Sequence, residues 1–171
     1  MLSWLEGLPV SEWVATSDWG YPLLLAVHSM GMAIVVGLLV ILDLRVLGYA
    51  KAAPIPALAR MMPLAWAGFG LNLVSGVLLF ASVATRIVSN WPFLAKMAAI
   101  LAGGAVSWAL WRELKGDGWA QADRQGAAAA VAVSARARAL AAASIAIWLG
   151  AVVFGRLIAY VMDAALLKLG T

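Results

Sequence analysis

Residues 21–46, YPLLLAVHSMGMAIVVGLLVILDLRV, contain no aspartate, glutamate, lysine or arginine before Asp43. Wound as an α-helix at about 1.5 Å per residue, such a stretch is long enough to cross the roughly 30 Å hydrocarbon core of a bilayer. Three later windows are also long and apolar, each with one basic residue, at residues 57–84, 92–111 and 139–162. Pro63 either opens the second span or kinks it, and Asn90 is placed to cap the third. A soluble fold of this length has nowhere to hide these segments. Of the 171 residues, 65% are hydrophobic and only 12% charged, for a mean hydropathy of +0.96, whereas any compact chain this small keeps a large surface in contact with its solvent. The expected fold is all-α: one domain, residues 1–171, forming an integral membrane antiparallel four-helix bundle.

The first twenty residues, MLSWLEGLPVSEWVATSDWG, have no basic start and carry Glu6, Glu12 and Asp18, so they do not read as a secretory leader. Trp4, Trp13 and Trp19 alternate with these acids, the pattern of one or two short helices at a membrane interface. Ser3 with Glu6, and Ser11 after Pro9, are candidate caps for them. Between the third and fourth windows lies the charged, Gly- and Ala-rich loop 112–138, whose middle has the composition of a surface helix and not of a fifth span. Arg45, Lys51, Arg60, Arg112, Lys115, Arg124, Arg136 and Arg138 fall on one side of this arrangement, against Arg86 and Lys168 on the other. The positive-inside bias therefore places the first and third loops in the cytoplasm and both termini outside. This distribution follows the membrane, not a groove for nucleic acid, and the bilayer is the expected partner.

Small residues mark the helix contacts. Gly68, Asn72 and Gly76 fall at i, i+4 and i+8, one narrow face with a polar centre, while Gly103, Gly104, Gly150 and Gly155 allow close approach of the third and fourth spans. Trp66, Trp108 and Trp148 are expected as flat apolar walls inside the bundle.

Depth singles out a polar layer. Counted from the outer ends of their spans, His28, Lys96 and Arg156 lie about 10, 6 and 9 Å in, at the rise of an α-helix, with Asn72 and Ser75 somewhat deeper. Each has an ordinary explanation: a snorkelling lysine or arginine, or a histidine bonded to a backbone carbonyl. Together, two cations beside an imidazole with no acid in the same layer call for an anion, either a carboxylate, a phosphate or a propionate. His28 and Met32, at i and i+4, share a face and form a candidate soft pair for a metal, with Met97 as a third donor. Asp43 sits fifteen residues after His28 at the cytoplasmic end, where Arg60 or Arg112 of a neighbouring helix is its expected partner. There is no cysteine and His28 is the single histidine, which excludes disulfides, thiolate centres and two-histidine metal sites within one protomer. No nucleotide-binding loop, serine triad or zinc motif is present.

The segments YPLLLAVHSMGMAIVVGLLVILDLRVLG, PLAWAGFGLNLVSGVLLF, NWPFLAKMAAILAG and WLGAVVFGRLIAYV resemble a family of small four-helix bacterial membrane proteins known as a domain of unknown function. More distantly, the chain is similar to HemJ-type protoporphyrinogen oxidases and CopD-type copper-resistance membrane domains. His28 and Lys96 match the HemJ-type first-span histidine and third-span lysine, whereas Leu25 and Leu94 stand where that type has a lysine and a histidine. The resemblance implies the bacterial inner membrane, a common scaffold and a tetrapyrrole site. Under that reading His28 is the axial ligand of haem b, Lys96 and Arg156 pair with propionates, and the iron is five-coordinate, as suits a redox or ligand-binding role, or is bridged by another side chain, or is shared across a homodimer. The alternatives are copper handling at His28 and Met32, binding or transport of a small anionic or lipid substrate with His28 as acid or base, and an accessory subunit without catalysis.

Overall fold

The computed structural model describes residues 2–50, 55–116 and 133–169, with the side chains of residues 55, 56, 59 and 163–169 left aside. The middle of the loop 112–138, where a surface helix was expected, lies outside the described residues, as do Lys51 and Arg124.

All regular structure among the described residues is helical. Two short helices, α1 (Ser3–Glu6) and α2 (Pro9–Thr16), precede the first long one, α3 (Gly20–Leu47). The short α4 (Ile55–Arg60) leads into α5 (Met62–Ser82), and α6 (Ala84–Ile87) connects it to α7 (Trp91–Gly116). The last helix, α8, runs from Ala135 to Leu169. Four of these, α3, α5, α7 and α8, are long and apolar enough to cross a membrane. The protein is a multi-pass membrane protein, an antiparallel bundle of four spans with short N-terminal helices against it.

Local sequence sets the ends of the spans. Gly48 closes α3 with φ 93°, and its N–H and that of Tyr49 bond back to the carbonyls of Arg45 and Leu44. That pattern needs a residue tolerant of the left-handed region, which glycine is. Pro63 occupies the first turn of α5, where its missing N–H costs nothing, so it opens the span and the apolar window from residue 57 is divided between α4 and α5. Asn90 caps α7 as its position suggested: Oδ1 accepts the N–H of Phe93 at 3.4 Å, and the amide reaches the Ile158 carbonyl of α8 at 3.4 Å.

The long helices pack as two pairs, α3 with α5 and α7 with α8, joined where α3 also meets α8. Lipid offers no hydrophobic drive for this association, so close packing and polar contacts must provide it. The α3–α5 crossing is made by glycines. A Cβ on Gly31 would lie 2.8 Å from the Asn72 nitrogen and 2.8 Å from the Gly68 carbonyl oxygen, and one on Gly68 would lie 2.7 Å from Ile34. At the α7–α8 contact the Trp148 ring lies on Gly103, where a Cβ would come within 3.0 Å of it. Trp148 is buried, but Trp66 and Trp108 are 63% and 60% exposed. The expected three interior aromatic walls are therefore reduced to one; the other two indoles face outward with Leu23, Met30, Leu73, Val77 and Leu101, as lipid-contacting residues do.

The N-terminal helices carry Trp4 and Trp13 outward, and Trp19, just before α3, is exposed as well. Their side-chain caps do not form. Leu2 and Leu8 occupy the cap positions, Ser11 is buried with no partner for its hydroxyl among the described residues, and Glu6 turns away from its own helix. Its Oε1 accepts the N–H of Thr85 at 2.8 Å and the Thr85 hydroxyl at 2.7 Å, which ties α1 to α6. These two bonds, with Arg86 nearby, hold the Glu6 carboxyl below the usual carboxylate range.

Two predictions follow from these contacts. Gly31→Ala is expected to lower stability by about 1–3 kcal/mol, because the new methyl group meets backbone that cannot step aside; Gly37→Ala and Gly70→Ala, with nothing within 4 Å, should leave the unfolding midpoint in detergent unchanged. The Glu6 contact stabilises the fold above the ordinary carboxylate range, and that contribution is lost as pH falls through the lowered folded-state value. Trp4 emission should report loosening of α1 on acidification, and Glu6→Ala should remove that acid transition.

Candidate functional site

His28 lies on α3 near the end of the bundle that carries α1 and α2, half-buried against α5. Its Nδ1 is 3.0 Å from the Asn72 carbonyl oxygen and 3.1 Å from the Ser75 hydroxyl oxygen. The carbonyl can only accept, and the Ser75 hydroxyl already donates to the Leu71 carbonyl at 2.6 Å. Nδ1 must therefore carry the hydrogen, which leaves a lone pair on Nε2. Asn72 returns the contact by donating its side-chain amide to the His28 carbonyl at 2.8 Å. The Cε1 edge of the ring meets Gly76, where a Cβ would lie 3.0 Å from Cε1. The face of Gly68, Asn72 and Gly76 is thus the surface on which the imidazole is mounted.

The Nε2 lone pair is met by Lys96 of α7, whose Nζ stands 3.2 Å away and donates to it. α7 packs on α8, so the lysine reaches across the bundle to touch α3. Its route runs over Gly155 of α8, where an added Cβ would lie 3.6 Å from each of Cδ, Cε and Nζ. No carboxylate is paired with Lys96 among the described residues. Three helices thus contribute polar groups to one cluster, and the fourth contributes the gap that lets the lysine in.

The remaining candidates are placed differently. Arg156 follows Gly155 on α8 and is exposed, so the residue that faces Lys96 from this helix is the glycine, not the arginine. Met32 packs with Val35, Val36, Trp148 and Ala151 in an apolar cluster. Asp43, expected opposite an arginine, takes its hydrogen bond from Ser144 of α8, and its Oδ2 has no hydrogen-bond partner among the described residues. Ser144 is linked to Ser107 at 3.3 Å, and Ser107 accepts the Trp148 indole N–H at 3.1 Å. Sequence reasoning missed this second network and the role of Gly31. The signal was present as matched i, i+4 pairs: Gly103 and Ser107 on α7 face Ser144 and Trp148 on α8.

A haem or a soft metal ion at His28 would have to displace the contacts seen here. An axial bond to iron needs the Nε2 lone pair, which Lys96 engages, while Nδ1 is committed to α5 and the Cε1 edge is closed by Gly76. Met32 is taken up by apolar packing, and no group of three His, Cys, Asp or Glu residues able to hold a metal occurs among the described residues. Comparison with protein-family models, with curated proteins and with solved structures yields no match to this chain.

The single histidine makes the geometry directly readable. Nitrogen NMR of protein labelled on histidine should give one ring, with Nδ1 protonated and Nε2 bare; the opposite tautomer would refute the assignment of partners. Gly155→Ala should leave the Nε2 signal in place, since its methyl group reaches only ordinary contact distance. Gly155→Leu should move the signal by driving Lys96 off the ring.

Proposed function

We propose that this protein binds a small anion, as a carboxylate or phosphate group, within the bilayer at the His28–Lys96 pair. The observation that carries this reading is the 3.2 Å contact between Lys96 Nζ and His28 Nε2 inside a bundle where no carboxylate accompanies the lysine among the described residues. An ammonium group away from water is costly unless an opposite charge joins it. The imidazole lone pair satisfies one N–H but supplies no charge, so among the described residues two donors and the whole of the positive charge remain to be matched.

His28 adds a proton-dependent element. Nδ1–H is held by the Asn72 carbonyl, so a proton can enter the ring only at Nε2. Once there, it turns the ring from the acceptor of Lys96 into a second donor aimed at the same point, and an anion between the two nitrogens would relieve the resulting repulsion. Proton uptake and anion binding are then coupled at one place. Asn72 positions the ring by its amide contact with the His28 carbonyl, and Arg156, exposed beside Gly155, draws anions toward that side of α8. With the positive-inside bias, the pair lies in the outer half of a bacterial inner membrane, with both termini outside.

The test is thermal unfolding of the purified protein in detergent against acetate or inorganic phosphate, at constant ionic strength with chloride as the control. Wild type should be stabilised as the anion saturates the site. Lys96→Met should lose at least tenfold in apparent affinity, and His28→Gln should remove the pH dependence of binding. Equal stabilisation of wild type and Lys96→Met would refute the proposal. A visible spectrum of the same preparation, made with ample haem supply, separates the tetrapyrrole reading: a Soret band in wild type that His28→Ala abolishes would replace the anion by haem.

A further inference from the structure

A second buried polar network lies toward the arginine-rich end of the bundle, fifteen residues along α3 from His28, or about 22 Å of helix rise. Asp43 is 1% exposed, Ser144 0% and Trp148 4%. An indole N–H can only donate, so the bonds have a direction. Trp148 donates to Ser107, Ser107 to Ser144, and Ser144 to the Asp43 carboxyl. Each hydroxyl accepts one bond and donates one, and the chain ends on a group that must accept. It ends there incompletely, because Oδ2 is buried with no hydrogen-bond partner among the described residues.

Leu42, Val46, Leu110, Leu114, Ala137 and Ala141 form the apolar core at this end. The charged residues described on the packed elements at this end are Arg45 on α3, Arg60 on α4, Arg112, Glu113 and Lys115 on α7, and Arg136 and Arg138 on α8. Glu113 engages Arg136 at 3.6 Å and Ser134 at 3.1 Å, and Lys115 lies over the Trp111 ring at 5.2 Å. Arg60, Arg112, Arg136 and Arg138 are exposed, and no arginine hydrogen-bonds to Oδ2. A carboxylate inside an apolar core needs its charge cancelled.

We infer that Asp43 is a binding site for a small monovalent cation, a proton or a sodium ion, seated at Oδ2 and oriented by the Trp148–Ser107–Ser144 chain. The shared chemistry is a single positive charge small enough to enter among close-packed helices. The Ser144 bond keeps Oδ1 occupied and leaves Oδ2 as the free ligand. This site stands apart from the His28–Lys96 pair and holds whether or not that pair takes an anion.

The experiment uses the full chain in detergent or nanodiscs. Unfolding midpoints are measured against sodium chloride with potassium chloride as control, and infrared spectra are recorded for the protonated-carboxyl C=O band. Stabilisation by sodium over potassium, lost in Asp43→Asn, assigns a sodium ion. Indifference to sodium with a protonated-carboxyl band that Asp43→Asn removes assigns a proton. No sodium effect together with no such band in wild type overturns the proposal, and that arm requires no variant to fold. Ser144→Ala supplies a further readout: losing a donor to the carboxylate should tighten cation binding about tenfold, equivalent to ~1.4 kcal/mol, whereas a merely structural serine would lower stability at every ion concentration alike.

Discussion

The backbone-to-backbone approach of Gly31 on α3 to Gly68 and Asn72 on α5 is the contact on which the rest of the bundle depends. In lipid, two apolar helices gain little by touching unless they touch closely. Here the absence of Cβ atoms at residues 31 and 68 brings the chains within reach of side-chain to main-chain bonds, with a Cβ at Gly31 only 2.8 Å from the Asn72 nitrogen. That closeness is what lets the Asn72 amide reach the His28 carbonyl at 2.8 Å and the His28 ring reach the Asn72 carbonyl at 3.0 Å. Packing therefore comes before chemistry here. A wider crossing would leave Nδ1 without its carbonyl partner on α5 and the tautomer unfixed.

Much of this was legible in the sequence, for a physical reason. Hydrocarbon imposes long apolar windows, and these set the number of spans. The i, i+4, i+8 spacing of Gly68, Asn72 and Gly76 named one helix face, and Asn90 before Trp91 named a cap; both contacts occur in the fold. What depth along a helix does not give is azimuth between helices. Arg156 shares a layer with His28 and Lys96, yet the neighbouring residue Gly155 is the one turned toward Lys96, a difference of about 100° of helix rotation. Trp66 and Trp108 illustrate the same gap, since in a membrane protein an indole is equally at home facing lipid, and composition cannot say which way it turns.

The partner of Asp43 was misjudged for a related reason. In water, a carboxylate two residues from an arginine and near several more is expected to find one. Within the bundle, the helix that reaches Asp43 is α8, and it presents Ser144. The serine is small enough to sit between α3, α7 and α8, while the arginines Arg112, Arg136 and Arg138 extend outward, where charge is better solvated. Thus α3 carries both polar networks, an imidazole toward one end completed from α5 and α7, and a carboxylate toward the other completed from α8 and α7.

Lys96 is the residue at which an ordinary and a functional explanation separate. A lysine this near a helix end can extend along lipid to the interface, which lowers its cost and needs nothing from other helices. Instead, its stem lies over Gly155 and its ammonium points across the bundle to His28 at 3.2 Å. That choice sacrifices hydration for one hydrogen bond to a neutral ring, a poor exchange for a charge on its own. The arrangement becomes reasonable once the remaining donors have a counter-charge to meet. Because α8 offers a glycine where a bulky side chain would block the path, the fold makes room for the inward rotamer, and the lysine is held where an anion, and not the membrane surface, would complete it.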